Sequence, residues 1–256
     1  MIDPRAIVDP AARLADGVSV GPFSIIGPGV EIGAGTTIGP HAVVKGPTRI
    51  GRDNRIYPFA SIGEDPQDKK YAGEPTRLEI GDGNLFREYV TVHRGTVQGG
   101  GVTRIGDRNW IMIGCHIAHD CVVGSDTIFS NNAALAGHVT VEDHAILGGY
   151  TLVHQFCAIG AHCFTAMGSV ISKDVPPYVL VSGHMAKPYG LNVEGLKRRG
   201  FSTETIAELR RAYKLLYKSK LTLEQAVAEI RALARTTPEA GALVAFIEAS
   251  TRGVIR

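Results

Sequence analysis

The stretch HIAHD, residues 116–120, sets two histidines three apart with an aspartate directly after the second. Imidazole gives and takes a proton near neutral pH, and a carboxylate beside it holds its tautomer and orientation. His116, His119 and Asp120 could therefore act as a base with its partner, as metal ligands, or as polar groups on an outer surface. His138 in LAGHV, His154 and Gln155 in VHQF, and His93 in VHRG widen the set. Gly137 directly precedes His138. A backbone N–H without a side chain beside it suits a developing oxyanion. Which of these groups meet depends on the register of the elements that carry them.

That register has period six. An aliphatic or similar residue recurs from Ile2, Val8, Leu14 and Val20 to Ile62, again at Ile80, Phe86 and Val92, and from Ile105 to Ile171, with Thr165 the weakest member. A helix would repeat every 3.6 residues and a simple strand every two. Period six fits a short strand and a corner, with three such units to an 18-residue triangular coil. Coils stacked by parallel strand pairing lie ~4.8 Å apart. The glycine that often follows the repeat residue (Gly21, Gly33, Gly51) reads as a turn position. Four residues after each repeat residue the side chain is usually small and faces inward: Ala6, Ser24, Thr36, Ala60, Ala133. Cys115, Cys121, Cys157 and Cys163 all take that position. No two of them are 18 apart and no CxxC pair exists, so they read as buried filler rather than disulfides or a zinc ribbon.

Stacking by 18 puts Ile117, Leu135 and Val153 above one another. His119, Gly137 and Gln155 then form one column of the following corner, and Asp120 and His138 the next. Two polar excursions, 63–79 and 93–104, interrupt the coil. Ile62 to Ile80 counts as three hexads, so the first excursion is expected to re-enter in register; the second holds a one-residue slip. On that count Val92 joins the Ile111 column. His93 would lie at the far edge from His116 and would reach His119 only across a cleft between neighbouring copies. Loops leaving a rigid scaffold often carry function.

The β-helical part is expected to end near KDVPPYV, residues 173–179, with residues 1–186 as one domain and 187–256 as a helical one. Ser202 suits the N-cap of a helix burying Ile206, Leu209, Tyr213 and Leu216, Thr222 and Gln225 form a capping box, and Pro238 opens a third helix. LKRRG, residues 196–200, is placed before the first regular helix. Residues 187–256 carry 13 Lys and Arg against 7 Asp and Glu, whereas the whole chain of 256 residues is only +2. A basic cap suits an acidic partner or phosphates. No apolar run approaches the ~20 residues of a membrane span. MIDPRAIVDP lacks the features of a secretory signal, so a cytoplasmic location is expected. Nucleic acid is not an expected partner.

Taken together, HIAHDC, LAGHV, VHQFC, YAGEPTR, VHRGTVQGGG and NVEGLKRRGF resemble the UDP-N-acetylglucosamine O-acyltransferases that begin lipid A synthesis, from MIDP to STRGVIR. The resemblance implies a left-handed parallel β-helix with a C-terminal α-helical domain, assembled as a homotrimer with active sites between subunits. It implies transfer of a 3-hydroxyacyl chain from the phosphopantetheine of acyl carrier protein to the sugar nucleotide, with no metal or other cofactor. His119 then corresponds to the general base, Asp120 to its partner and Gly137 to the oxyanion donor. His116 and His138 correspond to substrate-positioning residues, and Asp68, Lys70 and His93 to sugar-nucleotide contacts. Asn192, Glu194 and Arg199 correspond to uridine and phosphate contacts, Arg198 to a residue aiding binding, and His154 and Gln155 to pantetheine contacts. Met167 stands where some members have Gly near the end of the acyl groove, which implies a shorter chain of the hydroxydecanoyl class. The rivals are a gamma-type carbonic anhydrase with zinc on His116, His119 and His138, and a non-catalytic solenoid scaffold. The related N-acyltransferases typically carry an extra N-terminal domain, whereas these hexads begin at Ile2.

Overall fold

The computed structural model describes residues 1–256. Short strands of mostly two residues climb in a triangular prism with three parallel walls. Wall 1 runs from Ile7–Val8 through His116–Ile117 to Val170–Ile171, and wall 2 from Arg13–Leu14 through Val122–Val123 to Ala158–Ile159. Wall 3 runs from Ser19–Val20 through Trp110–Ile111 to Val179–Ser182 and ends on the antiparallel strand Lys187–Leu191. The prism is a left-handed β-helix.

The period-six residues fill its centre: every one from Val20 to Ile171, Thr165 included, is buried. Thr165 is tolerated because its hydroxyl bonds that of Thr151 at 2.7 Å. Where Asn54, Asn84 and Asn109 replace small corner residues, their amides form a buried ladder, Nδ2 to Oδ1 at 3.0 and 2.9 Å, that ends on the hydroxyl of Thr127. The four cysteines are buried and free, and burial pushes the Cys115 thiol up to about 11 and the Cys121 thiol to about 12. They are inert filler, as expected.

Three expectations need correction. The glycine after the repeat residue is not the turn residue. The left-handed backbone falls two positions later, mostly on non-glycine residues such as Phe23, Asp120, His138 and Phe156. Gly33 is required instead because a Cβ would stand 2.6 Å from the Gly51 carbonyl of the next coil, and Gly51 meets Gly81 in the same way. Second, each excursion is one step and not a full coil: both leave wall 1, after Ile62 and after Val92, and return on wall 2 at Ile80 and Ile105. Val92 therefore pairs with Ile117, not with the Ile111 column. Third, the 186/187 boundary cuts the final hairpin, and helix begins at α1, Val193–Arg198, which contains most of LKRRG. Asn192 caps it, with Glu194 in its first turn and Lys197 and Arg198 in its last, a pattern present in the sequence. Helices α2 (Thr203–Tyr217), α3 (Leu223–Leu233) and α4 (Pro238–Ala249) start where expected, on Ser202, the Thr222–Gln225 box and Pro238. They form their own apolar cluster, while Tyr213 and Ile255 close the end of the prism core. No helix is long and apolar enough to cross a membrane.

Candidate active site

The corner between walls 1 and 2 gathers the chemistry. His116 opens its short strand pointing outward, because its neighbour Ile117 takes the core position. Three residues after Ile117, the chain turns through Asp120 with φ +60°. His119 Nδ1 lies 2.8 Å from Asp120 Oδ2, so the imidazole donates from Nδ1 and leaves Nε2 as its free basic nitrogen. One coil up, Gly137 lies against that ring: a Cβ there would come 2.5 Å from His119 Cε1 and 2.8 Å from Nε2. The Gly137 N–H donates to no group of this chain. His138 packs edge-on against His119 with centroids 5.1 Å apart and stacks on Phe156 at 4.5 Å. Burial holds the His138 imidazolium below its ordinary pKa, against the opposing pull of Asp120.

The excursion after His93 makes this corner an enclosed site. Its Thr96 donates N–H to Asp120 Oδ1 and hydroxyl to Oδ2, each at 2.7 Å, while Thr103 Oγ1 accepts the Asp120 N–H at 2.8 Å. The Asp120 side chain is 1 % exposed. Periodicity places Asp120 in the corner but cannot show an excursion folding back over that corner. Arg94, itself buried, ties the two excursions together by donating to Gly63 O at 2.6 Å, to Tyr71 Oη at 3.1 Å and to Asp65. Thr96, Thr103 and Arg94 were not singled out from the sequence; Thr96 and Arg94 lie inside VHRGTVQGGG, and no period marks them.

His93 is also corrected. It lies on wall 1 beside His116, rings 5.0 Å apart and perpendicular, within one chain. His93 thus reaches this corner within its own chain and needs no neighbouring copy to bring it there. His93 is buried with Nδ1 unpaired, and burial lowers its pKa. His116 Nδ1 lies 2.7 Å from Thr91 Oγ1, and burial, with His93 and His119 nearby, pushes its pKa down to about 4. Asp68 is half-buried in the first excursion, with its charge acting on His138. Lys70 is exposed nearby, its N–H donating to Asp68 Oδ1 at 3.0 Å. His154 and Gln155 are exposed one coil above Gly137. Met167 is 79 % exposed, so it fills no gap in the core of this chain.

The remaining residues stand elsewhere. Asn192, buried, donates to His162 O at 2.9 Å; Glu194 is exposed and paired with Lys197; Arg198 is exposed. Arg199 reaches His144, on the corner between walls 2 and 3. The full width of wall 2 separates these groups from His119 in one chain. A groove of about 530 Å³ lies between α4 and wall 2; Phe156 lines it but His119, Asp120 and Gly137 do not. The closest set of metal-type donors is His119, Asp120 and His138, within 4.8 Å, not the three histidines of the zinc reading. His116 is turned to Thr91, and both oxygens of Asp120 already accept hydrogen bonds.

Known proteins resemble this chain along its whole length. The O-acyltransferase from Alkalilimnicola ehrlichii named for acyl-carrier protein and UDP-N-acetylglucosamine is 67% identical over 100% of this chain and 99% of its own. The chain belongs to the UDP-N-acetylglucosamine O-acyltransferase family. The enzyme of the same name from Thiobacillus denitrificans is 62% identical with the same coverage. The solved structure of LpxA from Acinetobacter baumannii superposes with a TM-score of 0.97 at 50% identity, covering 100% of this chain and 99% of that one. The family's own C-terminal model, "Udp N-acetylglucosamine O-acyltransferase; Domain 2", matches residues 174–255, and the bacterial transferase hexapeptide model matches 11–46 and 103–137. The C-terminal model thus reaches back across the final hairpin, consistent with that hairpin and the helices forming one cap on the prism.

Proposed function

We infer that this protein transfers an (R)-3-hydroxyacyl chain from acyl carrier protein to the 3-hydroxyl of UDP-N-acetylglucosamine, the first step of lipid A biosynthesis. The observation that carries the mechanism is the His119–Asp120 pair set against the unengaged Gly137 N–H. His119 Nε2 takes the proton of the sugar hydroxyl as its oxygen attacks the thioester carbonyl. Asp120 fixes the tautomer and stabilises the imidazolium that forms. The Gly137 N–H meets the oxyanion. Collapse breaks the C–S bond, and the proton on His119 passes to the departing pantetheine thiolate. The imidazole is then neutral again, so the cycle calls for no metal or other cofactor.

His116 and His138 line the approach to His119, with His93 buttressing His116, and Asp68 and Lys70 lie on the excursion that borders it. His154 and Gln155, one coil higher, suit the pantetheine arm. Asn192, Glu194, Arg198 and Arg199 suit the uridine and phosphates of a molecule bound from a second copy. Their separation from His119 by wall 2 supports a homotrimer with shared sites. The basic helical cap suits acidic acyl carrier protein, a soluble partner that fits a cytoplasmic enzyme. Met167, exposed on the prism edge, suits the role of a stop for the acyl chain and a preference for the hydroxydecanoyl class.

The deciding experiment incubates the protein with UDP-N-acetylglucosamine and a panel of 3-hydroxyacyl carrier proteins and reads products by mass spectrometry. One acylated sugar nucleotide is expected, with the rate reduced about 10²–10⁴-fold in His119→Ala. Full activity in that variant would remove His119 as the base. Stoichiometric zinc on the purified protein, lost together with activity on chelation, would favour the His119–Asp120–His138 cluster as a metal centre instead.

A further inference from the structure

The corner between walls 2 and 3 carries a column of side chains that the mechanism above does not use. From coil to coil it reads Arg108, Asp126, His144, His162 and Tyr178, all with left-handed backbone. Arg108 grips Asp126 through two bonds of 2.9 and 2.8 Å. His144 stacks on His162 with centroids 4.7 Å apart, and His162 on Tyr178 at 5.8 Å, with Phe201 edge-on against His162 at 5.0 Å. On the exposed side of this column, Arg199 Nη1 lies 2.7 Å from His144 Nδ1.

A guanidinium has no lone pair to offer, so His144 Nδ1 is the acceptor and the imidazole is neutral with its proton on Nε2. Arg199 itself caps α1, its N–H donating to carbonyls of that helix's last turn, so its backbone is fixed at one end and its head at the other. It makes no ion pair with a carboxylate; Asp126 is already taken by Arg108. That choice of acceptor matters. A carboxylate at position 144 would hold Arg199 equally well but cancel its charge. A neutral imidazole aims the guanidinium and leaves the charge whole for an anion.

We propose that His144 is a positioning residue for anion recognition, holding Arg199 in the orientation that receives the diphosphate of the sugar nucleotide. The inference rests on the reading of Arg199 as a phosphate contact. It carries a pH dependence, because protonated His144 cannot accept from Arg199. The groups facing His144 are Arg199, His162, Asp126, Asp143 and Arg108; burial and then Arg199 lower its pKa, against Asp126 and Asp143. The contact therefore holds through neutral pH and is lost on acidification below the usual histidine range.

The test uses steady-state kinetics and calorimetric binding of UDP-N-acetylglucosamine to the full-length protein. His144→Phe keeps the ring stack, and phenylalanine already occupies the equivalent left-handed corner position at Phe23, Phe59 and Phe156. The KM for the sugar nucleotide should rise about three- to tenfold, the cost of leaving a long side chain unfixed, with kcat retained. His144→Asn places a carbonyl oxygen where Nδ1 was and suits the backbone, so it should restore most of the affinity. The acid rise in KM should appear in the unaltered protein and vanish in His144→Phe. Adding His144→Phe to Arg199→Ala should change nothing further. If Arg199→Ala weakens binding but His144→Phe does not, the positioning role is wrong. If Arg199→Ala binds normally, the phosphate reading of Arg199 fails and this proposal falls with it.

Discussion

At the scale of single residues, the site depends on one buried carboxylate being pinned from three directions. Asp120 accepts from His119, from the Thr96 N–H and from the Thr96 hydroxyl. Thr96→Val keeps the shape and removes one charge-assisted bond. We expect kcat to fall by roughly 10- to 100-fold, in line with the ~1.5–3 kcal/mol typical of hydrogen bonds to charged groups, while Thr96→Ser stays near normal. Equal rates for Val and Ser would show that the hydroxyl does not steady the dyad. Gly137→Ala probes the other side: its Cβ would stand 2.5 Å from the His119 ring. Activity should drop by at least about a hundredfold with unaltered thermal unfolding, since the ring moves before the backbone does. At Met167, a change to Gly should lengthen the preferred acyl chain in competition assays. An unchanged preference would end its role as a stop.

At the scale of the elements, the repeat is built from corners as much as from strands. Its glycines are there for close approach between coils, which makes a sharp contrast testable by chemical denaturation. Gly33→Ala pushes a Cβ to 2.6 Å from the Gly51 backbone and should cost about 1–3 kcal/mol. Gly190→Ala meets nothing within 4 Å and should be neutral within about 0.5 kcal/mol. The two excursions are likewise elements in their own right. Their common departure from wall 1 lets Arg94 clamp one to the other and lets Thr96 reach Asp120.

At the scale of the whole molecule, two features act together. Burial holds His116 and His162 down to about 4. A histidine with a depressed folded-state pKa favours folding fully above its unfolded value of about 6.5, and that contribution is lost as pH falls toward 4. The unfolding temperature should therefore decline between about pH 6.5 and 4. His162→Phe, at a corner whose left-handed backbone accepts phenylalanine elsewhere, should flatten that decline; an unaltered slope would mean that His162 is not one of its causes. The separation of His119 from Arg199 gives the second prediction. His119→Ala and Arg199→Ala are each expected to be nearly inactive, yet mixed and reassembled oligomers should regain part of the activity, because some sites then combine an intact His119 with an intact Arg199. No recovery after subunit exchange would place the whole site in one chain.

The sequence by itself determined the repeat, the inward columns, the inert cysteines and the starts of α2, α3 and α4, because each is set by spacing or by a local cap. It also placed His119 beside Gly137 and Asp120 below His138, since those pairs lie 18 apart within an uninterrupted run. Counting failed where the chain left the prism. Periodicity records length and not direction, so an excursion of a whole coil's length looks the same as a coil. In the same way the thirteen residues from Val92 to Ile105 read as two hexads with a one-residue slip, although they make a single step from wall 1 to wall 2, and that count sets His93 at the wrong edge. Only the tertiary structure decided that both excursions fold back over one corner, that Asp120 is sealed beneath Thr96, and that Arg199 rests on His144. Each of these joins residues whose separation obeys no period, and each is fixed by packing and hydrogen bonding between segments.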